Sequence, residues 1–159
     1  MDNFRDFYKN HKDQLFGYIL RRTGDYHLAA DILQESFTRY LERYGKRESS
    51  IALLFTIGRN LIYDNSRQRR STTPFDEEKH EGAFQDEESI FLVREESQRM
   101  LTALQQLTSN ERDLLSLVVS SGLGYKKIAE MTGTNVTNIK VKIHRSRLKL
   151  KKILRTDEL

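Results

Sequence analysis

Basic side chains crowd the stretch between residues 136 and 155, and their spacing suits the binding of a polyanion. No acidic residue occurs between Glu130 and Asp157. The basic residues are Lys140, Lys142, Arg145, Arg147, Lys149, Lys151, Lys152 and Arg155. Ammonium and guanidinium groups at this density neutralise phosphates, which is the main source of affinity for nucleic acid. For this stretch taken by itself, a solvated amphipathic helix without a ligand is the alternative.

A glycine turn precedes the basic stretch. A short helix is predicted over Tyr125 to Thr132, and a long helix from Val136 to about Leu154, with Gly133 in the turn between them. The small Ala129 lets the two helices cross closely, Gly133 can adopt a left-handed conformation, and Ile139 is spaced to hold the helices together. The pattern predicts a helix-turn-helix whose second helix lies on DNA.

The long helix has an apolar side and a polar side. The apolar side carries Val136, Ile139, Ile143 and Leu150. The opposite side carries Thr137, Val141, His144 and Arg145, flanked by Asn138 and Lys140. Leu148 also falls on the polar side, and the sequence does not explain it. His144 is interpreted as a surface residue because no second metal ligand is spaced to assist it.

A second candidate surface lies on the helix predicted over Tyr26 to Tyr44. Asp31, Gln34 and Glu35 fall three to four residues apart, opposite an apolar face. From the pattern alone, an ordinary amphipathic helix with its polar face in water is the favoured interpretation.

The helix predicted over Ile51 to Arg69 ends in polar and basic residues interleaved with aromatic ones. The polar and basic residues are Arg59, Asn60, Arg67, Arg69 and Arg70, and the aromatic ones are Phe55 and Tyr63. Unstacked bases stack on aromatic rings while arginines hold the phosphates, so the mixture suits single-stranded nucleic acid. A solvated basic end, stabilised by the helix dipole, is the alternative.

Hydrophobic periodicity predicts an all-α fold of two small helical domains. Residues 1–70 form a bundle of three to four helices, the first from Phe4 to Arg22. Residues 71–92 are acidic and aperiodic, and we interpret them as a flexible linker. Residues 93–159 form a four-helix domain with the helix-turn-helix, in which Thr108 and Glu111 match a capping box.

Composition excludes several classes of site. The 159 residues carry a net charge of +4 and no cysteine, so disulfides and cysteine-based zinc sites are impossible. The four histidines are scattered, and no glycine-rich phosphate loop or catalytic constellation occurs. We therefore expect no metal, no cofactor, no small-molecule substrate and no enzymatic activity. No apolar run approaches membrane-spanning length and no signal peptide is evident, so we expect a cytoplasmic protein that is not inserted in a membrane.

Taken together, three segments resemble the extracytoplasmic-function group of sigma factors of bacterial RNA polymerase, which is group 4 of the sigma-70 family. Residues Ala30 to Phe37 resemble region 2.2 of that family, and Leu54 to Asp64 resemble regions 2.3 and 2.4. Leu104 to Leu107 and Tyr125 to Leu150 resemble region 4. The order and spacing of the three segments make the resemblance specific, and it covers nearly the whole chain except the acidic stretch.

The resemblance implies a role for each candidate surface. The residues expected to dock on the coiled coil of the polymerase β′ clamp are Asp31, Leu33, Gln34, Glu35 and Phe37. The residues expected at the −10 element of the promoter are Arg59, Asn60, Tyr63, Arg67, Arg69 and Arg70. Together with the loop 46–50 they are expected to melt and read this element and to capture a flipped base. The residues expected at the −35 element are Tyr125, Lys126, Thr137, Asn138, Lys140, Val141, Lys142, His144, Arg145 and Arg147.

The resemblance also implies partners: core polymerase through the β′ clamp and the β flap, promoter DNA, and an anti-sigma factor. The chain departs from the family pattern at Leu53, Gly58, Thr108, Asn138 and Lys142, which puts the promoter sequence in doubt. Gly58 is expected to weaken its helix by up to ~1 kcal/mol. A helix-turn-helix regulator that acts without polymerase is the main alternative, and a helical protein–protein adaptor is another.

Overall fold

The computed structural model describes residues 3–45, 50–69 and 98–157, and all regular structure in these ranges is helical. The N-terminal helices are α1 (Asn3–Thr23), α2 (Tyr26–Tyr44) and α3 (Ile51–Arg69). Residues 98–105 are helical and are called α4. The C-terminal helices are α5 (Ser109–Ser121), α6 (Tyr125–Thr132) and α7 (Val136–Asp157). The expected all-α class is thereby confirmed, whereas the acidic stretch 71–92 lies outside the described residues.

Local capping chemistry sets the helix ends. Gly24, at a φ of 69°, donates its backbone N–H to the Leu20 carbonyl at 2.7 Å and so closes α1. Asp25 then accepts from the Leu28 backbone N–H at 3.0 Å and begins α2. The predicted capping box at the start of α5 is present, since Thr108 and Glu111 each accept from the backbone N–H of the other.

One connected core runs through both parts of the chain. Helix α1 packs against α2 and α3 on one side and against α5 on another, so the C-terminal helices lie directly on the N-terminal ones. Leu15, Tyr18 and Ile19 of α1 are fully buried, as are Leu114 and Leu117 of α5. The structure therefore shows the two parts packed together.

Gly58 allows α3 to approach its neighbours closely. A Cβ atom at this position would lie 3.1 Å from Leu15 Cδ1 of α1 and 3.4 Å from Ser36 Oγ of α2. Both neighbours are fully buried and have little room to move. Whatever Gly58 costs in helix propensity, it lets three helices meet at one level of the core.

Among the described residues, no helix is both long enough and apolar enough to cross a membrane.

Candidate nucleic-acid interface

The turn between α6 and α7 has the geometry that the sequence predicts. Gly133 adopts the left-handed conformation at a φ of 73°, and its backbone N–H donates to the Ala129 carbonyl. Ile128 of α6 and Ile139 of α7 are fully buried between the two helices. Because both apolar anchors face inward, the two helices are fixed relative to each other, as a DNA-reading helix pair requires.

The outer side of α7 is open along its length. Ile139, Ile143 and Ser146 turn inward and are buried. The predicted contact residues on α7 that are exposed are Thr137, Asn138, Lys140, Val141, Lys142, His144, Arg145 and Arg147. Lys126 of α6 is exposed as well, and Tyr125 is half-buried. The helix-turn-helix therefore exposes five lysine and arginine side chains among the predicted contact residues: Lys126, Lys140, Lys142, Arg145 and Arg147.

Two side chains on this surface already have partners within the chain. The Asn138 amide donates to Thr134 Oγ1 at 3.1 Å, and the Asn138 backbone N–H donates to Asn135 Oδ1 at 2.8 Å. Lys149 Nζ donates to Glu111 Oε1 at 3.0 Å, which ties α7 to the cap of α5. The backbone N–H of Thr108, followed by Lys149 and the Thr108 hydroxyl, donates to the Glu111 carboxylate and holds the pKa of Glu111 below its usual range.

The polar face of α2 is accessible to a partner. Asp31, Gln34 and Glu35 are all exposed, and Glu35 Oε2 accepts from Arg39 Nε at 3.3 Å. Leu33 is half-buried. Phe37 is only 3% exposed, because its ring packs against aromatic rings of α1. The exposed face of α2 is therefore made by the polar residues, and Phe37 supports it from the core.

The basic end of α3 is partly closed. Asn60 is exposed, and the Arg59 guanidinium lies 4.9 Å from the centre of the half-buried Tyr63 ring. Phe55, which the sequence pairs with Tyr63 as a second stacking aromatic, is fully buried against Tyr18, so that expectation is wrong. The side chains of Arg67 and Arg69, the whole of Arg70 and residues 46–49 lie outside the described part of the structure.

Arg59 is also engaged by the C-terminal part of the chain. Its Nε donates to Asp113 Oδ2 of α5 at 2.8 Å. The Tyr18 hydroxyl of α1 donates to Asp113 Oδ1 at 2.5 Å, and Arg22 Nε lies 3.7 Å from the same oxygen. Asp113 is fully buried. We call Asp113, Tyr18, Arg22 and Arg59 the interface cluster, since it joins α5 to α1 and α3.

Burial and charge pairing perturb the protonation equilibria in the interface cluster. Burial, followed by the neighbouring Asp113 carboxylate, raises the pKa of Tyr18 well above its ordinary value, so the hydroxyl stays a donor. Burial by itself lowers the pKa of Arg59, but the pairing with Asp113 outweighs it and the pKa is raised. At neutral pH Arg59 is therefore protonated and Tyr18 is neutral, and both donate hydrogen bonds to Asp113.

Sequence reasoning missed the interface cluster. Asp113, Ser116 and Ser120 lie on the side of α5 that hydrophobic periodicity assigns to solvent, yet all three are buried. The available signal was an arginine pair, Arg21 and Arg22, at the end of α1, since both need acceptors. Arg21 Nη1 donates to Ser120 Oγ at 2.6 Å, which places a second polar contact across the same pair of helices.

Comparison with known proteins identifies two family models in the chain. The model described as Sigma-70 region 2 matches residues 7–72, and the model described as Sigma-70, region 4 matches residues 97–150. The first match covers most of α1 and all of α2 and α3. The second covers α4, α5, α6 and most of α7, including the helix-turn-helix.

Relatives and solved structures agree with the family models over nearly the full chain. The RNA polymerase sigma factor YlaC of Bacillus subtilis is 30% identical over 95% of this chain and 91% of its own length. The ECF RNA polymerase sigma factor SigM of the same organism is 27% identical over 92% of this chain and 91% of its own length. The sigma factor RpoE of Bartonella quintana, solved with the anti-sigma factor NepR, has the same fold, with a TM-score of 0.74 at 21% identity over 99% of both chains. CnrH, solved with the cytosolic domain of CnrY, has a TM-score of 0.73 at 21% identity, over 97% of this chain and 88% of its own.

Proposed function

Because the chain belongs to the sigma-70 family, in the extracytoplasmic-function group, we propose that its two ends read two elements of one promoter. As a sigma factor, the chain directs transcription initiation by RNA polymerase. A regulator that acts without polymerase is not favoured, since the family matches extend over both parts of the chain. The assignment of residues to promoter elements and to polymerase is our proposal.

The −35 element is assigned to α7. Val141, His144 and Arg145 occupy the centre of its exposed side, where a helix in the major groove meets base edges. Lys142 and Arg147 flank that centre and are placed to contact phosphates. The observation that carries this assignment is the pair of buried anchors, Ile128 and Ile139, because they fix α7 with its basic side outward.

The −10 element is assigned to the basic end of α3. Arg59, Asn60 and Tyr63 follow one another at helical spacing, and Arg67, Arg69 and Arg70 extend the same charge. A ring for stacking and cations for phosphates suit a melted strand rather than a duplex. The proposed contact needs Arg59 to leave the interface cluster.

Core polymerase is assigned to the exposed face of α2 formed by Asp31, Gln34 and Glu35, with Leu33 beside it. We place this face on the β′ clamp of the polymerase. We place the C-terminal helices near the β flap. An anti-sigma factor is a further proposed partner, supported by the sigma factor RpoE of similar fold, which was solved with the anti-sigma factor NepR. The protein would act in the cytoplasm, where polymerase works, as an initiation factor without enzymatic activity of its own.

The test of polymerase docking uses the double variant Asp31→Ala with Gln34→Ala. Both side chains are exposed, so the variant should fold normally, as circular dichroism would verify. We expect it to lose binding to core polymerase and, with it, promoter-dependent transcripts in a reconstituted assay. Glu42→Ala, an exposed position near the other end of α2, is the matched control and should behave as the native chain does. Polymerase binding that survives in the double variant would refute the docking assignment.

A further inference from the structure

The interface cluster places a carboxylate where the proposed function requires nucleic acid. Arg59 Nε donates to Asp113 Oδ2 at 2.8 Å, and Arg59 Nη2 lies within hydrogen-bond distance of the Tyr63 hydroxyl, at 3.4 Å. The Arg59 side chain is only 20% exposed as a result. A carboxylate and a phosphate are alternative partners of one guanidinium, because both accept charge-assisted hydrogen bonds in the same fork geometry.

Asp113 has partners on α1 besides Arg59 on α3. The carboxylate is fully buried and accepts from Tyr18 at 2.5 Å, while Arg22, with a side chain only 3% exposed, lies on its other side. Tyr18 and Arg22 both belong to α1, so Asp113 is fixed to α1 as well as to α3. Movement of α5 away from both helices would remove Asp113 from Arg59.

The charge balance of the interface cluster links the ion pair between Arg59 and Asp113 to the packing of α5. Arg22 and Arg59 both face one carboxylate, so removal of its charge leaves two guanidiniums close together with no anion between them. Burying unpaired charge is strongly unfavourable, and the guanidiniums would gain by reaching solvent or DNA. Displacement of α5 would therefore also release Arg59.

We propose that Asp113 is an intramolecular competitor of promoter DNA for Arg59, so that the packed chain withholds its −10 surface until α5 is displaced. The proposal rests on the proposed function of Arg59 and adds the residue that regulates it. It assigns Asp113 a role besides packing: it sets how readily the free protein binds single-stranded DNA.

The test compares Asp113→Asn with a matched change in the same interface, Ser120→Ala. Asparagine keeps the shape and the acceptor for Tyr18 but removes the charge. Ser120→Ala removes the 2.6 Å bond from Arg21 and leaves the pair between Arg59 and Asp113 intact. A labelled single-stranded oligonucleotide carrying the −10 region of a promoter that the protein transcribes is titrated with full-length protein, without polymerase, and followed by fluorescence anisotropy.

Distances are measured in the same variants by pulsed electron spin resonance. The chain has no cysteine, so spin labels at Thr38→Cys on α2 and Val119→Cys on α5 are unique, and both positions are exposed. We expect Asp113→Asn to bind the oligonucleotide about tenfold more tightly, the factor that corresponds to one charge-assisted hydrogen bond. We also expect the distance distribution between its two spin labels to gain a second, longer component. Ser120→Ala should stay within about twofold of the native chain.

Three outcomes would overturn the proposal. The first is an Asp113→Asn variant that behaves like Ser120→Ala. The second is a longer distance without tighter binding. The third is tighter binding that persists when Arg59→Gln is added. If Asp113→Asn does not fold, Tyr18→Phe weakens the hold on the same carboxylate and should give a smaller change in the same direction. Failure of the −10 assignment itself is seen separately, as normal transcription by Arg59→Gln alone.

Discussion

Arg145 and Lys142 lie three residues apart on the exposed side of α7 and should respond differently to truncation. An arginine on base edges contributes about 1–3 kcal/mol of discrimination. We therefore expect Arg145→Ala to weaken promoter binding by the holoenzyme and to relax sequence preference at one position of the −35 element. Lys142→Ala should weaken binding to all sequences alike and lower the salt dependence by about one counterion.

Binding of the holoenzyme to a library of −35 variants at several salt concentrations separates the two effects. Equal loss on all sequences for Arg145→Ala would contradict its placement in the groove. A change of sequence preference for Lys142→Ala would contradict its placement on a phosphate.

The burial or exposure of single residues was predicted well where it depends on one helix face. It was predicted poorly where two parts of the chain meet. The exposed residues of α7 follow directly from helical period, because Ile139 and Ile143 fix the inward side. The burial of Phe55 and of Asp113 does not follow from helical period. Phe55 is buried by α1, and Asp113 is buried although it is charged, since its partners Tyr18 and Arg22 lie more than eighty residues earlier in the chain. A pattern within one helix carries no information about such partners.

At the level of the elements, the cap of α5 predicts that the stability of the folded protein depends on pH. The pKa of Glu111 is lowered in the folded protein, chiefly by the backbone N–H of Thr108 and also by Lys149. A lowered pKa means that the stabilisation is fully present above the ordinary glutamate pKa, about 4.3, and is lost as the pH falls through the lower folded value. We expect Glu111→Gln, which keeps a capping side chain, to flatten this acid loss of stability.

Urea unfolding of native protein and Glu111→Gln at pH 7 and at acidic pH measures the effect. Glu130→Gln is the matched control, because Glu130 is an exposed glutamate on α6 that also faces a lysine, Lys127, at 3.2 Å. An identical acid dependence in native protein and Glu111→Gln would show that the cap carboxylate contributes nothing measurable to folding.

The elements themselves were largely predictable. The bounds of α2 and α3, the capping box of α5 and the glycine turn before α7 agree with the expectations, because caps and periodicity are local signals. Gly58 shows where local signals fail. The low helix propensity of glycine predicts a weak helix at this position. In the structure, the absence of a side chain lets Leu15 and Ser36 pack close to the Gly58 backbone.

For the whole molecule, the sequence predicted the order of the two parts but not their contact. The domain boundaries at residues 70 and 93 remain predictions, since the chain between α3 and α4 lies outside the described residues. The packing of α1 on α5 could not be predicted, because the contacting face of α5 is built from Asp113 and serines rather than from apolar residues. The sequence pattern predicts that such a polar face is exposed to solvent, whereas the structure buries it.

The packed arrangement also suggests why the free chain should be a poor promoter binder. Each end makes few phosphate contacts on its own, so its affinity is low and sensitive to salt. When polymerase holds both ends on one promoter, the second contact becomes intramolecular and gains effective concentration. Specific binding should therefore require both promoter elements and core polymerase together.

Promoter binding with and without core polymerase tests this central claim most directly. A labelled promoter that the protein transcribes is compared with versions in which the −35 or the −10 element is scrambled. We expect the free protein to bind all of them weakly and alike, and the complex with core polymerase to bind tightly only when both elements are intact. Selective binding of the intact promoter by the free protein would contradict the account and would indicate a regulator that works without polymerase.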